Sequence, residues 1–307
     1  MIVPTRGGRS RLPRLVRAFS RQDRDDFEVI FVIDGDIDGS AEYLRSSTVR
    51  DILPAGKVIE FPENQGRSAA LNAGHREASG TILIRCDDDL EPNLNFINEH
   101  VKAHNGDVCG VVGLTTNVYP ETPFARVYGE DADRNFIEAA LKTDSSSTWR
   151  YWAANVSMPR EIWNIVGPYD LNYRKYGWED VDYGYRIHEA GFPILIAPTL
   201  LTIHHAGATT TRSRALRALH SGAAREIFLK RHGEHVLASG QSRSLWNSAV
   251  EIVGRVGTEK VIGGAASLTD RLLPLVPKKI GRKLVALLVE GAGLSGIRSP
   301  NRATSTF

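Results

Sequence analysis

Apolar and polar positions along the first 115 residues switch repeatedly between two periods. Residues 1–4 form a short apolar run, and residues 12–22 set Leu12, Leu15, Val16 and Phe19 at helical spacing. Residues 27–33 are a β-branched and aromatic run stopped by Asp34-Gly35, which predicts a buried strand with a turn behind it. A helix follows to about residue 46 with Asp38 as its N-cap. A strand over 57–61, a helix over 68–77, a strand over 81–85, a helix over 93–104 and a strand over 108–114 complete the series. Strands separated by helices of this length need crossover connections, so the expected core is α/β with a mostly parallel central sheet flanked by helices. Such sheets bind ligands beyond the carboxyl ends of their strands. Here those ends carry Pro4-Thr5-Arg6, Asp34 and Asp87-Asp88-Asp89.

From 116 to 150 the pattern is irregular and polar, with one helix expected over 135–142. Residues 151–205 are dense in aromatics and acids and end in a strand predicted over 193–203. Beyond them, 214–232 has helical spacing, and 243–296 reads as two or three amphipathic helices broken at Gly263-Gly264, Pro274 and Pro277.

Composition adds an ordinary globular budget of 42% hydrophobic and 24% charged residues in 307, which excludes disordered and collagenous classes. The net charge of +2 conceals an asymmetry. Residues 1–210 carry 22 Lys and Arg against 30 Asp and Glu, whereas 211–307 carry 16 against 6. A basic C-terminal third points to an anionic partner, a membrane surface or a phosphorylated acceptor. Its expected contact is Lys278, Lys279, Arg282 and Lys283 beside the apolar stretch 284–289, and nucleic acid is not among the expected partners. Cys86 and Cys109 stand in no CxxC pair, so neither a disulfide framework nor structural zinc is expected. No leader pattern is visible and no apolar run approaches the ~18 residues that spanning requires. The expected location is cytoplasmic, peripheral on the inner face of the cell membrane.

Four segments hold chemistry. The triplet Asp87-Asp88-Asp89 is self-repelling unless cations or donors compensate, and hard divalent ions such as Mn²⁺ or Mg²⁺ suit carboxylate oxygens at a strand end. An acidic turn capping the next helix is the plainer reading. In Asn64-Gln65-Gly66-Arg67-Ser68-Ala69-Ala70-Leu71-Asn72-Ala73-Gly74, the small residues at 69, 70 and 73 let a helix lie close to a sheet, and Arg67 can reach an anion at the helix start. Trp178-Glu179-Asp180 precedes a predicted helix whose dipole holds carboxylates ionised, as a general base requires. Asp182 and Arg186, four apart, are read as a helix-surface pair. His204-His205 closes the 193–203 strand, where an imidazole can complete an Asp-rich divalent site. His100 with His104, and His232 with His235, lack the acid that a zinc motif needs.

Taken together these segments resemble the GT-A glycosyltransferases, specifically glycosyltransferase family 2, over about residues 1–232. Pro4-Thr5-Arg6 stands where the family has its opening Pro-Thr segment. Residues 32–40 are similar to its Val-Asp-Asp-Gly-Ser-x-Asp-Gly-Thr element, one residue shorter. Residues 64–74 match Asn-x-Gly-x-x-x-Ala-x-Asn-x-Gly at each fixed position, and 87–89 match Asp-x-Asp. Residues 151–191 resemble the C-terminal part of galactosyltransferase-type members.

The resemblance implies a GT-A nucleotide-diphospho-sugar transferase fold with a C-terminal helical extension. Its domain would cover 1–232, with a nucleotide-sugar-binding half at 1–115 and an acceptor and catalytic half at 116–232, and the basic extension would cover 233–307. The implied donor contacts are Pro4, Thr5, Arg6, Asp34, Asp36, Asn64, Gly66, Arg67, Asn72, Asp87 and Asp88, with Asp34 on the base and Asp36 its competitor. Asp87, Asp89 and His204 would hold Mn²⁺ or Mg²⁺. Asp180 would be the catalytic base and Glu179 would hold the acceptor hydroxyl, although in related members either acid takes the base role. Trp178 would stack on a sugar face. The implied reaction is inverting transfer from a nucleoside-diphosphate sugar, UDP-sugars favoured, to a glycan, lipid-linked or other hydroxyl acceptor. The chain starts almost on its first strand, which suggests a shortened N-terminus, and the tail from about 233 matches no family element. Two rival readings remain. A nucleotidyltransferase would use Thr5-Arg6-Gly7-Gly8-Arg9 as its phosphate loop but has no task for residues 178–180. A catalytically silent membrane- or partner-binding scaffold would tolerate damage to the acidic motifs, which are intact.

Overall fold

The computed structural model describes residues 1–174, 177–205, 207–237 and 244–304. Position 206, next to His204-His205, and position 243, the start of the expected 243–296 helices, lie outside these. The chain forms two compact units, one of residues 1–118, 136–171 and 179–206, the other of 119–135, 172–178 and 207–307. These units divide the chain elsewhere than at residue 232, the boundary implied by the family resemblance.

The first unit is built on a seven-stranded sheet in the order β3-β2-β1-β4-β8-β6-β9. Its strands are β1 (Ile2–Thr5), β2 (Val29–Asp34), β3 (Gly56–Phe61), β4 (Ile82–Cys86), β6 (Gly110–Val112), β8 (Asn155–Pro159) and β9 (Ile194–Ile196). β8 runs antiparallel to β4 and β6, and every other neighbouring pair is parallel. β2 is buried along its whole length, as its unbroken apolar run requires of a central parallel strand. The helix α1 (Leu12–Phe19) buries Leu12, Leu15, Val16 and Phe19, the four residues its spacing selected, in a core with Val3, Phe31, Ile33 and Ile84.

Several expectations are corrected in detail. The helix expected after Asp38 is two short ones, α2 (Ser40–Leu44) and α3 (Ser47–Ile52), the second capped by the Ser46 hydroxyl. The α2 start is held mainly by Asp36, whose carboxylate accepts the backbone N–H groups of Asp38, Gly39, Ser40 and Ala41 at 3.0–3.2 Å, while Asp38 accepts Ser40 N at 3.2 Å and the Ser40 hydroxyl at 2.6 Å. In α4 (Arg67–Glu77) the close approach to the sheet is made by Gly74, where a Cβ would strike Ile2, and by buried Ala70, while Ala69 and Ala73 face outward more. α5 (Phe96–His104) starts three residues later than its pattern suggested.

The strand predicted over 193–203 is divided between two sheets, and the one predicted over 108–114 ends at Val112, a further strand starting only at Thr115. β7 (Thr115–Asn117) and β10 (Thr202–His204) join β5 (Leu90–Glu91) in a small sheet ordered β5-β10-β7. Pro198, which has no N–H for a ladder, opens the turn that separates β9 from β10. The helix expected over 135–142 begins earlier, as α6 (Glu130–Leu141), with Glu130, Asp131 and Asp133 in its first turn. Sequence periodicity did not mark β8 or the following α7 (Arg160–Val166). α8 (Trp178–Glu189) follows.

The second unit is helical: α9 (Thr211–His232), α10 (Leu245–Val256), α11 (Glu259–Leu272) and α12 (Lys278–Arg298). α9 and α12 touch backbone to backbone through glycines. A Cβ on Gly222 would collide with Gly293 O, and one on Gly296 with Leu219 O and Ala223 N. Around this seam Ala215, Leu219, Ala223, Ile262, Ala266 and Ala292 form one buried cluster. That packing explains why α9 belongs with the C-terminal helices. α11 runs unbroken through Gly263-Gly264, where a break was expected; it starts at Thr258, whose hydroxyl caps Val261 N. The break at Pro274 and Pro277 is real.

Candidate active site

Every polar group described below except Trp178 belongs to the sheet unit, at or near the carboxyl ends of its parallel strands. The fold there answers the repulsion within Asp87-Asp88-Asp89 by giving each carboxylate its own cationic or imidazole partner. Asp87 is gripped in two places by Arg85, from Nε at 2.7 Å and Nη2 at 3.0 Å. Asp88 accepts from Arg11 Nε at 3.1 Å, from Arg11 Nη2 at 2.9 Å and from the Thr5 hydroxyl. Gly8 has no freedom here, since a Cβ would collide with Thr5 Oγ1 and Asp88 Oδ2. Asp89 faces His204 Nε2 at 3.3 Å.

The small sheet makes that last pairing. In its register His204 lies opposite Leu90 on β5 and opposite Asn117 on β7. His204 Nδ1 is 2.6 Å from Asn117 Oδ1, a bond in which the imidazole N–H donates. Nε2 faces Asp89 Oδ2 at 3.3 Å, while Asp89 Oδ1 is buried with no hydrogen-bond partner. An imidazole nitrogen and a carboxylate with one orphaned oxygen are both ligands that a divalent cation takes, with Asn117 orienting the imidazole from behind. Asp89 and His204 therefore fit a metal. Asp87 stands two residues away with both oxygens held by Arg85. Among the described residues no cluster of three or more His, Cys, Asp or Glu is closed into a metal cage.

α8 brings the second pair of acids. Glu179 is 3% exposed and accepts from Arg67 Nη1 at 3.1 Å. Asp180 is buried and bonded to Arg85 Nη1. Arg85, itself 1% exposed, thus joins the strand-end triplet to the acid of α8. Burial raises the Asp180 carboxyl to about 6; Arg85 opposes that rise and neighbouring Glu179 adds to it. A carboxylate so placed is poised near neutrality, the range in which a general base works best. Asp182 pairs with Arg186 at 2.9 Å, and Arg186 also donates to Val166 O and Pro168 O, so this pair anchors a loop as well as a helix face.

The remaining sequence-nominated residues divide. Asp34 accepts the N–H groups of Gln65 at 2.6 Å and Gly66 at 2.9 Å, and Asn64 Oδ1 also accepts from Gly66 N, which together fix the loop before α4. Gly66 has φ 93°, a conformation that favours glycine. Pro4 is buried in β1 and Arg6 is exposed just past its end. Asn72, expected on the donor, is instead 1% exposed, with both ends of its amide bonded to the Tyr169 backbone at 2.7 and 2.9 Å. It pins α4 to the segment before α8. Asp36, as the α2 cap, is likewise committed to backbone donors. Trp178 donates its indole N–H to Ser221 at 3.1 Å and packs against the Phe228 ring at 5.1 Å, on α9. His100 and His104 bond Asn155 and Ser157 in the core. Sequence reasoning missed Arg11, Arg85 and Asn117. The first two carried only the signal of basic residues near an acidic triplet, and Asn117 carried none.

A model of the family described as Glycosyl transferase family 2 matches residues 1–163. A validoxylamine A glucosyltransferase of Streptomyces hygroscopicus subsp. jinggangensis (strain 5008) is 26% identical over 225 residues, covering 64% of this chain and 53% of its own. The chain thus spans about half of that relative's length. Among solved structures, a Pyrobaculum calidifontis mannosyltransferase in complex with GDP-Man and Mn²⁺ superposes with TM-score 0.64 at 18% identity, covering 96% of this chain and 85% of that one. S. aureus TarS 1-349 in complex with UDP gives TM-score 0.52 at 16% identity over 98% and 90% of the two chains. At these identities the two structures establish the GT-A-like fold.

Proposed function

The chain belongs to glycosyl transferase family 2, and on that premise we propose that it is an inverting, divalent-metal-dependent glycosyltransferase. It would move a sugar from a nucleoside-diphosphate donor, with UDP-sugars favoured, to an acceptor hydroxyl of a glycan, lipid-linked or other glycoconjugate. The observation that supports this reading best is the pair of Asp89, with its orphaned oxygen, and His204 in the same unit as a buried Asp180 raised to about 6.

Asp89 and His204 would hold Mn²⁺ or Mg²⁺, with Asp87 beside them. When bound, the ion neutralises the charge that develops on a departing nucleoside diphosphate. The chain's own groups do the rest. Arg85 holds Asp180 in place and keeps part of its population ionised against the cost of burial. Ionised Asp180 accepts the acceptor hydroxyl's proton as that oxygen attacks the anomeric carbon. Glu179, held by Arg67, orients the same hydroxyl, and Trp178 offers its remaining ring face to a sugar. Asp88, fixed by Arg11 and Thr5, would lie against the donor's ribose or sugar, and the loop of Asn64, Gly66 and Arg67 that Asp34 fixes would border the diphosphate. The two acids are already committed to guanidinium partners, which leaves neither as a covalent nucleophile and supports a single inverting displacement.

The test is release of nucleoside diphosphate from a panel of UDP-, GDP- and dTDP-sugars with Mn²⁺, with and without EDTA. Asp180→Asn is expected to retain donor binding and lose about 10²–10⁴-fold in turnover. Asp89→Ala is expected to lose metal-dependent donor binding. Full turnover by Asp180→Asn would overturn the base assignment. Pyrophosphate release would favour a nucleotidyltransferase, and no thermal shift with any donor would favour a scaffold.

A further inference from the structure

The C-terminal helices leave an apolar face uncovered, and its position differs from the one the sequence pattern suggested. Three residues of the stretch 284–289 are committed to packing. Val285 is fully buried with Phe124, Val127 and Leu273, while Leu288 and Val289 lie against the alanine cluster of α9 and α11. The exposed apolar residues are elsewhere. Val261 is 52% exposed, Leu268 56%, Leu272 40%, Leu275 78% and Ile280 52%. Val261, Leu268, Leu272 and Leu275, with exposed Ala265 between them, follow one another at steps of three, four or seven, a single stripe down the outer side of α11 and into the turn after it.

Charge surrounds this stripe with one sign. Lys260, Arg271, Lys278, Lys279, Arg282 and Lys283 are all exposed. The two acids of α11 are turned away: Glu259 accepts from Thr304 N and Oγ1 at 2.7 and 2.8 Å, and Asp270 accepts from Thr211 N and Arg212 N. Lys278, Lys279, Arg282 and Lys283 fall in the first two turns of α12, where the helix dipole disfavours cations. Asp131 relieves this only for Lys278, at 3.3 Å, and Arg282, at 3.8 Å.

From these positions we propose that α11 and its corner with α12 form a membrane-docking surface for an anionic lipid bilayer, lying in the headgroup plane with Leu268, Leu272, Leu275 and Ile280 inserted. A large apolar stripe edged by Lys and Arg, with no carboxylate at its exposed positions, is the pattern of an interfacial helix. A second protein copy would meet like charges across the contact, which disfavours self-association. Among the described residues no helix is long and apolar enough to cross the bilayer, and the proposed contact is with its surface. The surface stands independently of the reaction assigned to the sheet unit.

The experiment is co-sedimentation of the full chain with phosphatidylcholine vesicles with and without about 30% phosphatidylglycerol, at low and high salt. Binding is expected only to the anionic vesicles. Leu275→Glu should weaken it about tenfold, as loss of one inserted leucine implies. Lys279→Glu with Lys283→Glu should weaken it about tenfold or more at low salt and less at high salt. Leu288→Ala, on the side packed against the alanine cluster, serves as the comparison and should leave binding unchanged. Far-UV circular dichroism and donor-dependent thermal shift of each variant separate loss of the surface from loss of the fold. The absence of binding to any vesicle, or full binding by Leu275→Glu, overturns the proposal. So does a dimer in light scattering that Leu275→Glu dissociates while vesicle binding stays nil.

Discussion

The two units solve the problem of close packing with opposite chemistry. In the sheet unit, guanidinium groups are drawn inward: Arg85 is 1% exposed and binds both neighbouring Asp87 and Asp180, 95 residues further along the chain. In the helical unit the α9–α12 seam is made by Gly222, Gly293 and Gly296 lying close to the backbone of Leu219 and Ala223. Buried charge is costly unless each member is paired, so the sheet unit is specified by partners, whereas the helical unit is specified by the absence of side chains. The surfaces differ in the same sense. The sheet unit gathers its acids into a buried network, and the helical unit sends its cations and a row of leucines outward.

Removing a partner should therefore hurt the first unit most. Arg85→Met leaves Asp87 and Asp180 uncompensated and is expected to cost about 3–5 kcal/mol in urea unfolding. A cost below about 1 kcal/mol would mean that the carboxylates relax into water and the network is not specifying the fold.

Acid should be next. Burial lowers His75 and His104 to about 4 and His100 to about 3, from an ordinary 6.5. Between those values the unfolded chain binds more protons than the folded one, so stability falls as pH drops below 6.5. About 1 kcal/mol per histidine over the first pH unit, roughly 3 in all, is expected. Urea midpoints at pH 7, 6.5, 6 and 5.5 measure it, and a flat series would contradict burial of the neutral rings. If Asp180 is the proposed base, turnover is expected to have an acid limb near pH 6, and Asp180→Asn should abolish it.

Adding atoms should hurt the second unit. Gly296→Ala places a Cβ against Leu219 O and Ala223 N and is expected to cost about 2 kcal/mol, read as a lowered thermal midpoint. The smallest effect belongs to the exposed Arg255–Glu251 pair at 3.1 Å, where Arg255→Ala should change stability by less than about 0.5 kcal/mol. A larger effect there would show that the helical unit also depends on ion pairs.

What was legible in the sequence follows from the range of the interactions. α1 could be read because its four buried residues recur at helical spacing within eight positions. The strand-end location of Asp34 and of residues 87–89 followed from the same local periods. The partners could not be read. Arg85–Asp180 and His204–Asn117 join segments 95 and 87 residues apart, and no local pattern encodes which distant side chain will arrive. Asn72 shows the converse limit: its motif marked it for a ligand, yet the fold uses its amide to hold the Tyr169 backbone. Along the tail, hydrophobicity alone does not say which face of a helix is covered. Val285, Leu288 and Val289 of its longest apolar stretch pack inward, while Leu268, Leu272 and Leu275 lie exposed.

The position of β10 has a consequence for synthesis. His204 reaches Asp89 only by pairing with β5 and β7, whose partner residues lie 114 and 87 positions earlier in the chain. A growing chain that has delivered the first 163 residues holds the three carboxylates and most of the large sheet, but not the imidazole. Asp89 must wait with its oxygen unanswered until the small sheet zips closed. The pair is thus among the last features of the sheet unit to form, and its presence certifies that the longest loop has closed.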